Sequence, residues 1–304
     1  MQPDFNISTL LSLLDDDDIW QQIADDLIAK GQIIEQELQE FCFSNKQVLN
    51  EVQTERLEYV LRKINFKRIY IEFRSWAKKG NAPLFDALQY LAAYIYPTLN
   101  KSENQIERRV EDICEEIEVR LRANMTTPQM MTQVTDVLLS VYGMSANDDI
   151  ESHNFALNYL LAYKKAHSSL FVLFYVLVAQ RAGLPVYPVC LGNYLLAGAL
   201  HRSTGNYKPN LTNHDNKKLT RAYFGELDFF IDPADRGINL SKADLISFLN
   251  KNNISPDEKY LHPCTNVQAV YALLVRFSDA LTGKNESYKV EEINQLIDLL
   301  AKYL

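Results

Sequence analysis

The chain has 304 residues, of which 47% are hydrophobic, and a formal net charge of -8. That length suffices for two or three domains with more than one buried core. The acidic balance excludes an extended nucleic-acid surface, which needs clustered Lys and Arg to displace counterions, so Arg108-Arg109 and Lys217-Lys218 are read as solvated faces.

At the N-terminus, "ISTLLSLLDDDDIWQQIADDLIAKGQIIEQELQEF" carries apolar residues at helical spacing with a polar break after each run. A short helix, an Asp-rich turn and a second helix ending near Gly31 resemble one HEAT-like unit, with a looser unit to about residue 65. Asp15 to Asp18 form an adjacent run without the alternating spacing of a calcium loop, so helix capping is expected there rather than metal binding. The N-terminal apolar segment has no basic leader, and the longest apolar run, Leu170 to Ala179, falls short of the roughly 20 residues of a membrane span. A cytosolic protein without membrane insertion is the expectation.

Single apolar stripes continue the helical pattern through "APLFDALQYLAAYIYPTLN", "ENQIERRVEDICEEIEVRLRANM" and "PQMMTQVTDVLLSVYG". Polar punctuation at 145 to 153 marks a change of texture. Beyond Gly183, "PVYPVCLGNYLLAGAL" and "LTRAYFGELDFFID" read as strands on either side of the loop "HRSTGNYKPNLTNHDNKK". Helix returns from "LSKADLISFLNKN", and "TNVQAVYALLVRFSDAL" with "KVEEINQLIDLLAKYL" makes a terminal hairpin similar to one tetratricopeptide unit. The expected division is 1–78, 79–149, 150–255 and 256–304.

Cys42, Cys114, Cys190 and Cys264 lie far apart with no C-x-x-C pair, which predicts neither a zinc site nor a redox motif. His153, His167, His201, His214 and His262 place no two ligands on one helical face. No metal and no cofactor are expected.

Residues 154 to 250 carry a more specific signal. "NFALNYLLAYKKAHSSLFVLFYVLVAQRAGLPVYPV" combines Asn-x-x-Leu-Asn, a basic pair, an apolar helix ending in Ala-Gln-Arg, and Gly-Leu-Pro; "FFIDPADRGINLSKADLISFL" adds Asp-Pro-x-x-x-Gly, and "HPCTN" precedes the final hairpin. In these motifs the chain resembles the SirB-type branch of the transglutaminase-like superfamily. The resemblance implies an α+β, predominantly helical fold: a papain-like core with a small antiparallel sheet, flanked by helical repeat-like segments. In catalytic members it implies Cys at the start of the helix, His on the next strand and Asp or Asn on the strand after, an order in which helix dipole and imidazole lower the thiol pKa.

Counted from Gly183-Leu184-Pro185, the implied nucleophile position holds Ser168, preceded by His167 and followed by Ser169; the implied His position holds Tyr194, or Asn193 if the register slips by one; Asp232 stands at the third position. Asn does not titrate and Tyr has a reference pKa near 10, so neither serves as a general base at neutral pH. A helix dipole contributes about 1 kcal/mol at an exposed end, far too little to ionise a serine hydroxyl unaided. Capping of the apolar helix is therefore the expected role of His167-Ser168-Ser169, and an Asp-Pro turn that of Asp232.

No catalytic residues are expected: the triad is degenerate. The implied function is a non-catalytic scaffold binding a protein or peptide, with His167, Ser169, Asn193 and Tyr194 as cleft candidates. Two alternatives stay open: a hydrolase or acyl transferase rebuilt on Ser168 or Ser169 with His167, His201 or His214 as base, and a structural domain whose cleft is filled. Cys190, inside an apolar strand, is disfavoured as a displaced nucleophile. The identity of the partner and the oligomeric state are left open.

Overall fold

Two units of unequal size divide the chain, residues 1–72 and residues 73–304. The computed structural model describes residues 13–31, 33–35, 37–38, 40, 49–79, 82–97, 103–147, 151–192, 194–200, 227, 229–251, 253–256, 258–282, 284 and 286–304.

In the smaller unit, α1 (Trp20–Lys30) buries Ala24 and Leu27 and stops at Gly31, whose left-handed φ of 57° lets its N–H donate back to the Leu27 carbonyl. The long helix α2 (Glu51–Lys78) opens on a reciprocal pair: the Gln53 N–H donates to Asn50 Oδ1 and the Asn50 N–H to Gln53 Oε1, satisfying two otherwise orphaned amides. Leu14, Leu27, Leu38, Leu57, Val60 and Ile64 form the core.

Here the expectation for the Asp run needs correction. α1 is capped at Ile19 by no side chain. Asp15 instead accepts two hydrogen bonds from Asn50 Nδ2, Asp17 pairs with Arg56, and Asp16 Oδ1 accepts from the Asp18 N–H. The carboxylates tie a turn to the start of α2, where charged and amide partners outcompete weakly held backbone donors.

The larger unit takes in the end of α2 from Phe73 and then three helices: α3 (Leu84–Ile95), α4 (Glu103–Arg120) and α5 (Thr127–Asp136), the last opened by a Thr126/Gln129 capping box. A π turn at Val137–Val141 leads to β1 (Ser145–Ala146), which pairs in parallel with β2 (Lys165–Ala166). Between them lie a short 3-10 turn, Ser152–Phe155, and α6 (Leu157–Tyr163), which ends where Lys164 turns left-handed. Helix α7 (Ser168–Arg181) follows directly, and every residue from Ser169 to Ala179 is buried. A helix apolar all round belongs inside a core; α7 packs on β1, α3, α4, α5 and α6, on the strands at 186–191 and 194–199, and on the helix at 266–281.

The sheet runs in the order β3 (Val186–Leu191), β4 (Tyr194–Ala199), β5 (Phe229–Asp232), β6 (Ile238–Leu240), antiparallel throughout. Gly192, at φ 60°, makes the tight β3–β4 turn, and Leu191 faces Tyr194 across it. Tyr187, Val189, Leu191 and Leu196 pack with Phe230, Leu245 and Leu249 in a cluster that includes α8 (Lys242–Lys251). By alternation the intervening Pro188, Cys190 and Leu195 present the opposite face. A capping box of Thr265 and Gln268 starts α9 (Asn266–Leu281), which pairs with α10 (Ser287–Leu300). Buried Glu292 of α10 accepts a hydrogen bond from Tyr94 Oη of α3 at 3.1 Å. The fold class is the one the resemblance implies, a mainly helical α+β architecture with a small antiparallel sheet. No described helix is long and apolar enough to cross a membrane.

Candidate functional site

The start of α7 is set by two backbone events. Ala166 lies in β2, and the His167 N–H donates to the carbonyl of buried Asn154 at 2.8 Å, which turns the chain into the helix. The imidazole then folds over the helix end, and its Nδ1 accepts the Ser169 N–H at 3.2 Å. Capping is thus performed by His167 rather than by a serine hydroxyl. The ring is held by stacking: Phe155, fully buried, lies 4.4 Å from His167 on one side and 4.6 Å from Phe277 on the other.

Above this end opens a cavity of about 580 Å³. His167, Ser168, Ser169 and Val172 of α7 form one wall, with His167 and Ser168 half-buried and Ser169 buried. Tyr194, Leu195 and Leu196 of β4 and Phe248 of α8 line another, and Asp232, Ala234 and Asp235 line the turn after β5. Arg276, Asp279 and Ala280 of α9 complete the lining. The structure therefore brings His167, Ser168, Ser169, Tyr194 and Asp232 to one place. Asn193, His201 and His214 lie outside the described residues, and His153 stacks on Tyr159 away from this lining.

Asp232 closes its turn as the Asp-Pro pair predicts. Its Oδ1 accepts the N–H groups of Ala234 at 3.0 Å and Asp235 at 3.3 Å. Tyr194 stands edge-on to Phe248, ring centroids 5.8 Å apart, and the Arg276 guanidinium lies 5.2 Å from the Tyr194 centroid. Arg276 also faces Asp279 one helical turn on, at 3.9 Å. Phe248, Arg276 and Asp279 were not singled out in the sequence. The signal available was an Arg and an Asp three residues apart inside the apolar stripe of "YALLVRFSDAL".

Chemically, Nδ1 of His167 is engaged as an acceptor, so it carries no proton and its lone pair is spent on a backbone amide. Among the described residues no three His, Cys, Asp or Glu side chains gather to hold a metal ion. A second, smaller cavity of about 370 Å³ is lined by Arg109, Asp112, Tyr142 and Lys164. Burial, then the Arg109 charge, pulls the Lys164 ammonium below its ordinary pKa.

The family model of the transglutaminase-like superfamily matches residues 104–275, more than half of the chain. The chain belongs to this superfamily. No curated protein and no solved structure matches it. The matched stretch runs from α4 into α9 and takes in every cavity residue up to Phe248; Arg276 follows immediately after it.

Two of the cysteines come together in the fold. Cys190 of β3 and Cys264, 74 positions apart, meet with their sulfurs 2.6 Å apart, the Cys190 thiol donating to the Cys264 sulfur. Sequence spacing does not reveal this pair, because a backbone hydrogen bond from the Cys264 N–H to the Pro188 carbonyl lays the segment before α9 along β3.

Proposed function

We propose that the chain is a non-catalytic transglutaminase-like protein that uses the cavity at the head of α7 to hold an extended segment of a protein partner. The observation that supports this reading is the engagement of His167 Nδ1 by the Ser169 N–H. His167 is the imidazole lining the cavity among the described residues, and that nitrogen is committed to the helix end instead of to a hydroxyl. On the strand lining the same cavity, Tyr194 sits against Phe248 and Arg276. Without a base among the described residues, a helix dipole worth about 1 kcal/mol leaves Ser168 protonated at neutral pH. A volume of about 580 Å³ with a mixed lining of aromatic rings, three carboxylates and one guanidinium suits a few residues of peptide. The same reading extends to the SirB-type branch, to HEAT-like and tetratricopeptide-like helical segments that add partner-binding faces, and to the cytosol.

The test uses the purified chain, a fluorophosphonate probe and a peptide array. The proposal expects no labelling of either serine, no amide or ester turnover, and selected peptides whose binding weakens on Tyr194→Ala. Labelling of Ser168 that disappears in Ser168→Ala overturns it in favour of a serine hydrolase. An array that selects nothing favours a structural domain.

A further inference from the structure

We infer that Cys190 and Cys264 are a reversible dithiol/disulfide site that joins the β3–β4 hairpin to the segment leading into α9. Both residues are half-buried, and each is fixed by its own surroundings rather than by the other: Cys190 by its register opposite Leu195, Cys264 by its N–H bond to the Pro188 carbonyl at 2.9 Å. The sulfurs already touch, so bonding them asks for little backbone movement. Cys114, the other described cysteine, is buried and its thiol is pushed up to about 11, chiefly by desolvation.

The oxidant is a low-molecular-weight disulfide such as oxidised glutathione. The Cys190 thiol loses its proton, and the thiolate attacks one sulfur of the oxidant, forming a mixed disulfide and expelling one small thiolate. Cys264 then loses its proton and attacks the Cys190 sulfur, expelling the second. The two protons end on the two small thiols; the cysteines are oxidised by two electrons and the small disulfide is reduced by two. Burial holds the Cys264 thiol well above its ordinary pKa.

The location gives the bond a consequence. Cys190 pairs with Leu195 of the cavity-lining strand, and Cys264 stands two residues before α9, which carries Arg276 and Asp279. Oxidation therefore fastens two of the cavity's walls to each other and closes a long loop, lowering the entropy of the unfolded chain.

The full chain is equilibrated in glutathione buffers of graded redox ratio, acid-quenched, alkylated and digested, and its melting temperature is read in parallel without any ligand. The expected result is a peptide bearing Cys190 linked to one bearing Cys264, in the natural chain and in the Cys42→Ala/Cys114→Ala variant. The oxidised form should melt roughly 5 to 10 °C above the reduced form, a difference that Cys190→Ser abolishes. Should Cys190→Ser fail to fold, linkage mapping in the other two proteins decides alone. Alkylation of both thiols at every ratio, linkage to Cys42 or Cys114 instead, or protection of both sulfurs until a chelator is added overturns the inference. None of these readouts involves a peptide ligand, so a failure here leaves the proposed function standing, and the reverse.

Discussion

Two parts of the cavity lining are held by different means. At the head of α7 the imidazole of His167 is locked by a backbone amide and by a three-ring stack whose centre, Phe155, has no exposure. On β4, Tyr194 is 40% exposed and is steadied by one edge-on ring and one guanidinium. The contrast teaches that one cavity can be rigid on one part of its lining and adjustable on another. Packing density makes the first wall intolerant of change, whereas exposed aromatic and cationic contacts cost little to rearrange.

The harshest way to break this contrast is Phe155→Ala. Removing the middle ring should cost about 3–5 kcal/mol of stability in urea unfolding. A loss below about 1 kcal/mol would mean that the stack does not lock the helix head. Next comes Gly198→Ala on β4. An added Cβ would stand 2.5 Å from Leu227 Cδ1 and 2.8 Å from Val189 Cγ2, so overpacking of about 1–3 kcal/mol is expected by the same measurement, reduced by whatever the Leu227 side chain yields. An unchanged midpoint would show that the sheet behind the adjustable wall is itself loose.

Tyr194→Ala sharpens the contrast from the other side. Stability should move by about 1 kcal/mol or less, because the ring is already well exposed, while affinity for an array-selected peptide should fall about tenfold, one aromatic contact's worth. A large drop in stability with unchanged affinity would reverse the roles of the two walls. The smallest effect concerns α8, which carries Phe248. The Ser241 hydroxyl, together with the Ser241 N–H, holds the Asp244 carboxyl below its usual range. A depressed folded value means that this contribution is present above the unfolded pKa of 3.8 and is lost as pH falls through the folded one. Amide exchange at residues 242–245 should accordingly speed up in acid beyond the general trend, and Asp244→Asn should remove the excess.

What could be read from the sequence follows the range of the forces involved. α7 is legible because burial on all sides demands an uninterrupted apolar run, and 186–199 reads as strand because its residues suit a pleated surface, although the division into β3 and β4 at Gly192 emerges only in the fold. The turn at Asp232 is local and announces itself as Asp-Pro. The capping atom of α7 is less legible, since a polar triplet shows that an end is capped without showing which of His167, Ser168 and Ser169 faces the amide. Arg276 and Asp279 join Ser168 only because α9 packs against α7, and no spacing rule spans that distance. Cys190 and Cys264 are hidden for the same reason, and the Asp15–Asn50 and Asp17–Arg56 contacts likewise depend on a fold-back that composition does not encode.

The enclosure of α7 has one further result. Its flanks are covered by three strands and five helices at once, so none of these can swing away without wetting the hydrophobic rod they share. Amides near Phe174 should then exchange with solvent only when residues 73–304 come apart together, giving a single melting step for that unit. Traffic into the cavity has to pass over its rim, because breathing of the interior would dismantle the whole assembly.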